Sequence, residues 1–309
     1  MHHICSGKSG LTIAAFAGFA FGAPAENAQF ALFDGFEDET IGLIDGQDGW
    51  DSSGGENSVV VDPWDPTNQV MYVPSSSSTL HKSMLAEHLA VLDGTAKMMF
   101  FRMCVAEKQT FSVGVSPMSH PSEYSDFGPE IGMANSAQNL DVRVWDDDEG
   151  NYENVTNLTA DNWYNVWLYV DADQNVYRLW MNNTPGADAS PDDLLMDESG
   201  DDTFEFRVGD SSSFITFYIK TSGGSSGTNF GPVYFDDIYV ELSEGVNLTN
   251  PTTGCVVDLN GDGIVDLGDI SVFTTGFLAG DPVADLTGDG VLDLYDVTAF
   301  VLLFLAGCP

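Results

Sequence analysis

The sequence predicts a mainly β protein: an antiparallel jelly-roll β-sandwich followed by a small α-helical unit built on two cation-binding loops. Two observations predict the sandwich and a third the helical unit. Residues 26–243 hold many short runs of alternating apolar and polar side chains, the pattern of half-buried strands. Clusters of Gly, Ser, Asn, Asp and Pro separate those runs, and no long amphipathic helix competes with them. Near the C-terminus an Asp-rich pattern occurs twice in register, each copy followed by apolar residues at helical spacing.

The clearer strands fall at residues 57–61, 69–73, 96–105, 111–115, 140–145, 163–170, 176–180, 203–208, 214–219 and 233–240. Residues 83–92 are the one candidate helical turn. Many short strands in a unit of this size pack as two antiparallel sheets. Alternation places Val166, Leu168 and Val170 on one face of their strand, toward the core. Trp163, Asn165, Trp167 and Tyr169 fall on the other.

The 309 residues carry 48 Asp plus Glu against nine Lys plus Arg, a formal charge of −39. Such a chain lacks the clustered cations that nucleic-acid phosphates require, and anionic membranes repel it. Its 43% hydrophobic content suffices for a core. The balance favours a protein that is secreted, holds cations, or both. Lys8, the apolar stretch 11–21 and the small-x-small site Ala23-Pro24-Ala25 read as a signal peptide over residues 1–25. No later apolar run reaches the ~18 residues of a membrane span. The expected organisation is therefore a signal peptide (1–25), a sandwich (26–243), a linker (244–254) and a C-terminal unit (255–309), with the mature protein extracellular or at the cell surface. Cys104 lies in a strand-like run and reads as a buried thiol. Cys255 and Cys308 bracket the last unit, and in an oxidising space they are expected to form a disulfide.

The repeat sets Asp258, Asn260, Asp262, Asp266 and Asp269 at loop positions 1, 3, 5, 9 and 12. The second copy, 27 residues on, sets Asp285, Thr287, Asp289, Asp293 and Asp296 at the same positions. Gly263 and Gly290 at position 6 permit the sharp turn that lets alternate side chains converge on one ion. The carbonyls of Ile264 and Val291, at position 7, each add a ligand. A hard cation takes six to eight oxygens, so two calcium ions are expected. Ile270, Phe273, Phe277 and Leu278 follow the first loop as the apolar face of a helix; Val297, Phe300, Val301, Phe304 and Leu305 follow the second.

Loop then helix, twice, within residues 255–309 resembles the dockerin domain. Cys255 and the ending Ala306-Gly307-Cys308-Pro309 resemble its GC-type bacterial group. The resemblance implies calcium-dependent docking onto a cohesin or another surface scaffold protein, read by loop positions 10 and 11. Here these are Leu267 and Gly268 in the first loop, Leu294 and Tyr295 in the second. They are more apolar than the hydroxyl pair common in cellulosomal dockerins.

The sandwich has its own resemblance. Phe36-Glu37-Asp38 with Gly49-Trp50, and the closing run from Tyr234 to Val240, resemble the first and last strands of concanavalin-like and carbohydrate-binding jelly rolls. The strand pair at 163–171 and 176–180 resembles laminin-G-like modules. This implies a third calcium joining the first and last strands through Glu37 and Asp236. Sugar binding needs flat apolar surfaces beside polar groups, and Trp145, Trp167 and Trp180 are candidate platforms, with Trp64 and Tyr124 as further rings. Catalysis has little support. Hydrolysis needs two positioned carboxylates, and no Glu-x-Asp-x-x-Glu strand occurs. Arg143, Arg178, His120, Tyr218 and Lys220 suit a uronate-cleaving lyase in type but form no lyase motif. The expected function is polysaccharide binding by the sandwich, with the C-terminal unit as tether. A polysaccharide lyase or glycoside hydrolase, and a structural surface protein, are the alternatives.

Overall fold

The structure is a computed structural model. It describes residues 30–85, 89–133, 140–147, 150–209, 213–222, 231–253, 257, 259, 265, 267–287 and 291–306. Its strands are β1 (Phe30–Asp34), β2 (Gly42–Leu43), β3 (Trp50–Ser53), β4 (Ser58–Val61), β5 (Gln69–Val73), β6 (Ser78–Ser83), β7 (Ala96–Val105) and β8 (Thr110–Ser116). They continue as β9 (Glu130–Met133), β10 (Leu140–Asp146), β11 (Asn151–Leu158), β12 (Trp163–Asp171), β13 (Val176–Asn182), β14 (Phe204–Glu205), β15 (Thr216–Ser222) and β16 (Val233–Glu241). Two helices follow, α1 (Leu267–Ala279) and α2 (Leu294–Ala306).

The strands form two antiparallel sheets. One runs β14-β13-β12-β7-β16-β5-β4-β2, with β1 also paired to β16. The other runs β11-β10-β9-β8-β15-β6-β3. The predicted alternation holds where it was clearest: Val166, Leu168 and Val170 enter the core between the sheets. There Phe101 meets Phe217 at 6.1 Å and Phe235 meets Phe111 at 6.2 Å, each pair joining one sheet to the other. Cys104 is a buried thiol whose pKa burial pushes up to about 12.

Several strands have no clear local signal. β6 reads Ser-Thr-Leu-His-Lys-Ser and β11 reads Asn-Tyr-Glu-Asn-Val-Thr-Asn-Leu. Cross-strand pairing, not propensity, makes them strands. The expected helical turn at 83–92 is absent from the described residues: Ser83 ends β6, and Val91 bridges Phe214. The strand expected at 203–208 shrinks to Phe204–Glu205.

The expected linker is also corrected. Phe30, Met98, Phe100, Trp167, Trp180 and Tyr239 form an apolar cluster on the outer face of the larger sheet, and Val246 and Leu248 cover it. Trp167 Nε1 donates to the Thr249 carbonyl at 2.9 Å, and Asn250 N donates to Asp188 Oδ1 at 2.8 Å. Residues 246–250 are thus a cover strip of the sandwich.

In the C-terminal unit Phe273 of α1 stacks on Phe300 of α2, ring centroids 4.1 Å apart. Ile270, Phe277, Val297 and Phe304 pack around them. Leu278, Val301 and Leu305, expected on the buried stripe, are exposed. No helix among the described residues is long and apolar enough to cross a membrane. The expected Cys255–Cys308 disulfide lies outside the described residues.

Candidate functional site

Aromatic, basic and hydroxyl side chains converge on the outer face of the smaller sheet. Strand alternation and register set two adjacent cross-strand rows there. One runs Tyr152, Trp145, Glu130, Gly114, Tyr218, His81 and Asp51; its neighbour runs Arg143, Gly132, Ser112, Lys220 and Thr79. Small residues floor the middle, so longer side chains lie over it. The β10–β11 hairpin turns between Asp147 and Gly150, whose N–H returns to the Asp147 carbonyl at 3.1 Å. That turn sets the Tyr152 ring edge-on to Trp145 at 5.1 Å. Tyr124, from the 3-10 turn Tyr124–Asp126, reaches the same face and bonds Ser222 Oγ at 2.7 Å.

Glu130 anchors the cluster. It is fully buried, and its carboxylate accepts from Ser112 Oγ at 2.6 Å, Tyr152 Oη at 2.7 Å and Arg207 Nη1 at 2.5 Å. Three donors hold a buried charge that would otherwise be strongly unfavourable. Arg207 lies 4.3 Å from the Trp145 ring centroid, and Arg143 lies 3.6 Å from that of Tyr152. Burial, and next the Glu130 charge, push the Tyr152 phenol well above its ordinary range; burial, with a smaller contribution from Glu130, also raises Tyr124. Both therefore stay neutral hydrogen-bonding groups at any physiological pH.

The structure distributes the predicted residues unevenly. Trp145 joins this face, half-buried, with Tyr124, Arg143, Lys220, Tyr218 and His120, whose ring lies 5.6 Å from His81. Trp167 and Trp180 do not. Both are 0% exposed beneath the cover strip, so neither offers a ring to a sugar. Arg178 lies on β13 of the other sheet, 3.5 Å from Asp202. The sequence reading missed Tyr152, Arg207 and Glu130. A hairpin reading through Gly150 would have set Tyr152 opposite Trp145; Arg207 and Glu130 carry no local signal.

Glu37 and Asp236 each accept a hydrogen bond from one of the adjacent residues Gln69 and Asn68: Glu37 Oε1 from Gln69 N at 2.8 Å, and Asp236 Oδ2 from Asn68 Nδ2 at 2.9 Å. Asp236 is buried, which, with Asp237 beside it, raises its pKa well above the usual range. A different trio, Asp34, Glu39 and Asp48, brings ligand oxygens within 4.8 Å of one another, close enough for one metal ion. Lys82 already bonds two of them, at 3.0 Å to Asp34 and 2.5 Å to Asp48. Burial, Asp34 and Asp48 push the Glu39 pKa up to about 7, against a smaller opposing pull from Lys82. A cavity of about 900 Å³ beside this trio is walled by further acids, including Asp62, Asp65 and Asp237, and by Leu302 and Leu303 of α2.

Of the first expected calcium loop, Asp258, Asn260, Asp262, Ile264 and Asp266 lie outside the described residues, as do Asp289 of the second and the flanking Cys255. Asp269 is fully buried. In the second loop Asp296, also fully buried, accepts from Thr287 N at 3.1 Å, Thr287 Oγ1 at 3.0 Å and Asp293 N at 2.8 Å. Asp285 is buried and Val291 exposed. Leu267, Leu294 and Tyr295 are exposed, and Gly268 is partly so.

No protein-family model matches the chain, and no curated protein matches it. Among solved structures it is similar to a sialidase at 9% identity, covering 82% of this chain and 21% of that one, with a TM-score of 0.45. It is similar to lectin II from Ulex europaeus at 10% identity, covering 64% of this chain and 94% of that one, TM-score 0.44. It is similar to the catalytic domain of the glycoside hydrolase family 131 protein from Coprinopsis cinerea at 13% identity, covering 65% and 85%, TM-score 0.42. The chain spans about a fifth of the sialidase's length.

Proposed function

We propose that the chain is a secreted polysaccharide-binding protein. Its sandwich holds the glycan on the outer face of the β11-β10-β9-β8-β15-β6-β3 sheet, and its C-terminal unit tethers it to a surface scaffold through calcium-dependent docking. The observation that carries the first part is the half-exposed ring cluster of Trp145, Tyr152 and Tyr124 beside polar groups in a fixed network. Rings offer flat apolar area to a pyranose, and the network is pre-organised, which lowers the entropy cost of binding. Glu130 is fully buried and occupied by three donors, which favours a holding role over attack on a glycosidic bond. For the tether, Asp269 and Asp296 are buried in a unit whose residues 255–309 contain no Lys, Arg or His. A divalent ion is the charge that unit needs, and the exposed Leu267, Leu294 and Tyr295 suit an apolar partner surface.

The deciding experiment for the glycan reading is depletion of the full chain by a panel of insoluble polysaccharides. Trp145→Ala should lower the retained fraction about tenfold while the protein stays folded. Unchanged retention would remove this face from consideration.

A further inference from the structure

We infer that the ligand of this face is an acidic polysaccharide, one whose pyranose rings carry carboxylate or sulfate groups. This rests on the reading of the face as a glycan platform. The whole chain has only nine Lys and Arg against 48 Asp and Glu. Three of the nine, Arg143, Arg207 and Lys220, gather around one ring cluster.

Their surroundings differ. Arg207 is committed to Glu130. Ion pairs among the described residues otherwise engage Lys82, Arg102 and Arg178, not Arg143 or Lys220. Arg143 Nε has no hydrogen-bond partner, and its guanidinium lies against the Tyr152 ring. Lys220 donates to the Ser122 carbonyl at 2.5 Å and sits 5.3 Å from the Tyr124 ring. Among the described residues, two half-buried cations therefore have no carboxylate in an ion pair with them, in a chain where carboxylates outnumber cations more than fivefold.

Their placement suits a polymer. Arg143, Gly132, Ser112 and Lys220 are consecutive across β10, β9, β8 and β15. At about 4.8 Å between neighbouring strands, the two cations stand about 14 Å apart at the backbone, enough for more than one sugar ring. A neutral glycan would leave both partly desolvated and unpaired. A carboxylate or sulfate would pair them, and the planar guanidinium presents a fork that matches either anion. The charge of −39 does not prevent this, because fields are screened beyond about 8 Å at physiological ionic strength. Of the nearby carboxylates, Asp126 is held by the N–H groups of Ser122 and Glu123, and Asp147 faces the Trp145 indole N–H.

The test is titration calorimetry of the full chain with a short oligogalacturonate, its methyl ester and a sulfated galactan oligosaccharide. At least one acidic ligand should bind about tenfold or more tightly than the ester. Arg143→Gln combined with Lys220→Gln should erase that preference, and Arg143→Lys should retain part of it. The two acidic arms identify which anion is read. Equal affinity for acid and ester, unmoved by the double substitution, would overturn the inference and leave the glycan face standing. No binding of any of the three ligands, together with polysaccharide retention indifferent to Trp145→Ala, would overturn both.

Discussion

Trp167 and Trp145 show how far a side chain's role depends on its surroundings. Both sit on outward-facing strand positions. Trp145 remains half-exposed beside Tyr152, whereas Trp167 is covered by residues 246–250 and hydrogen-bonded to Thr249. Trp167→Ala should therefore act on stability, costing about 3–5 kcal/mol in denaturant unfolding, with glycan retention unchanged in the fraction that folds. A loss of retention without loss of stability would restore Trp167 as a binding residue. Lys82 shows the same dependence. It is one of few cations in a very acidic chain, yet it faces inward, where Asp34, Asp48 and the Phe33 carbonyl surround its ammonium.

At the scale of elements, the β10–β11 hairpin and the two loop-helix units do different work. The hairpin positions Trp145 and Tyr152 by register alone, and β9 and β8 supply Glu130 and Ser112 beneath them. Each C-terminal helix buries an acid in its first turn, Asp269 in α1 and Asp296 in α2. Carboxylates at helix N-termini are favourable, and in the calcium-loop reading proposed for this unit such acids converge on one ion. Chelating calcium from the full chain should therefore speed amide hydrogen exchange in α1 and α2 by about tenfold or more, while β7, β12 and β16 keep their protection. Equal exchange in the helices with and without calcium would count against metal-coupled folding of this unit.

For the whole molecule, the strip at 246–250 decides where the sandwich ends. It shields an outer face that would otherwise expose Phe100, Trp167 and Trp180 together. Large exposed apolar patches promote association. A chain shortened to end at residue 243 should bind a hydrophobic dye and aggregate, whereas one ending at residue 253 should stay monodisperse in light scattering. Equal behaviour of the two would show that the strip is dispensable.

Local chemistry alone carried a good part of this account. Short β-rich apolar runs such as 96–105 and 163–170, set off by turn residues, announced a two-sheet sandwich because strands of that kind must bury their apolar faces against a second layer. The apolar spacing after each Asp-rich repeat announced two short C-terminal helices because that spacing is a property of consecutive residues. Tertiary structure decided the rest. β6 and β11 are strands because neighbours complete their hydrogen bonds, which no local pattern encodes. Glu130, Tyr152 and Arg207 meet across strands far apart in the chain, so their cluster exists only once the register is set. Trp167 and Trp180 look like Trp145 in sequence; they differ because a strip more than sixty residues downstream covers the outer face of their sheet.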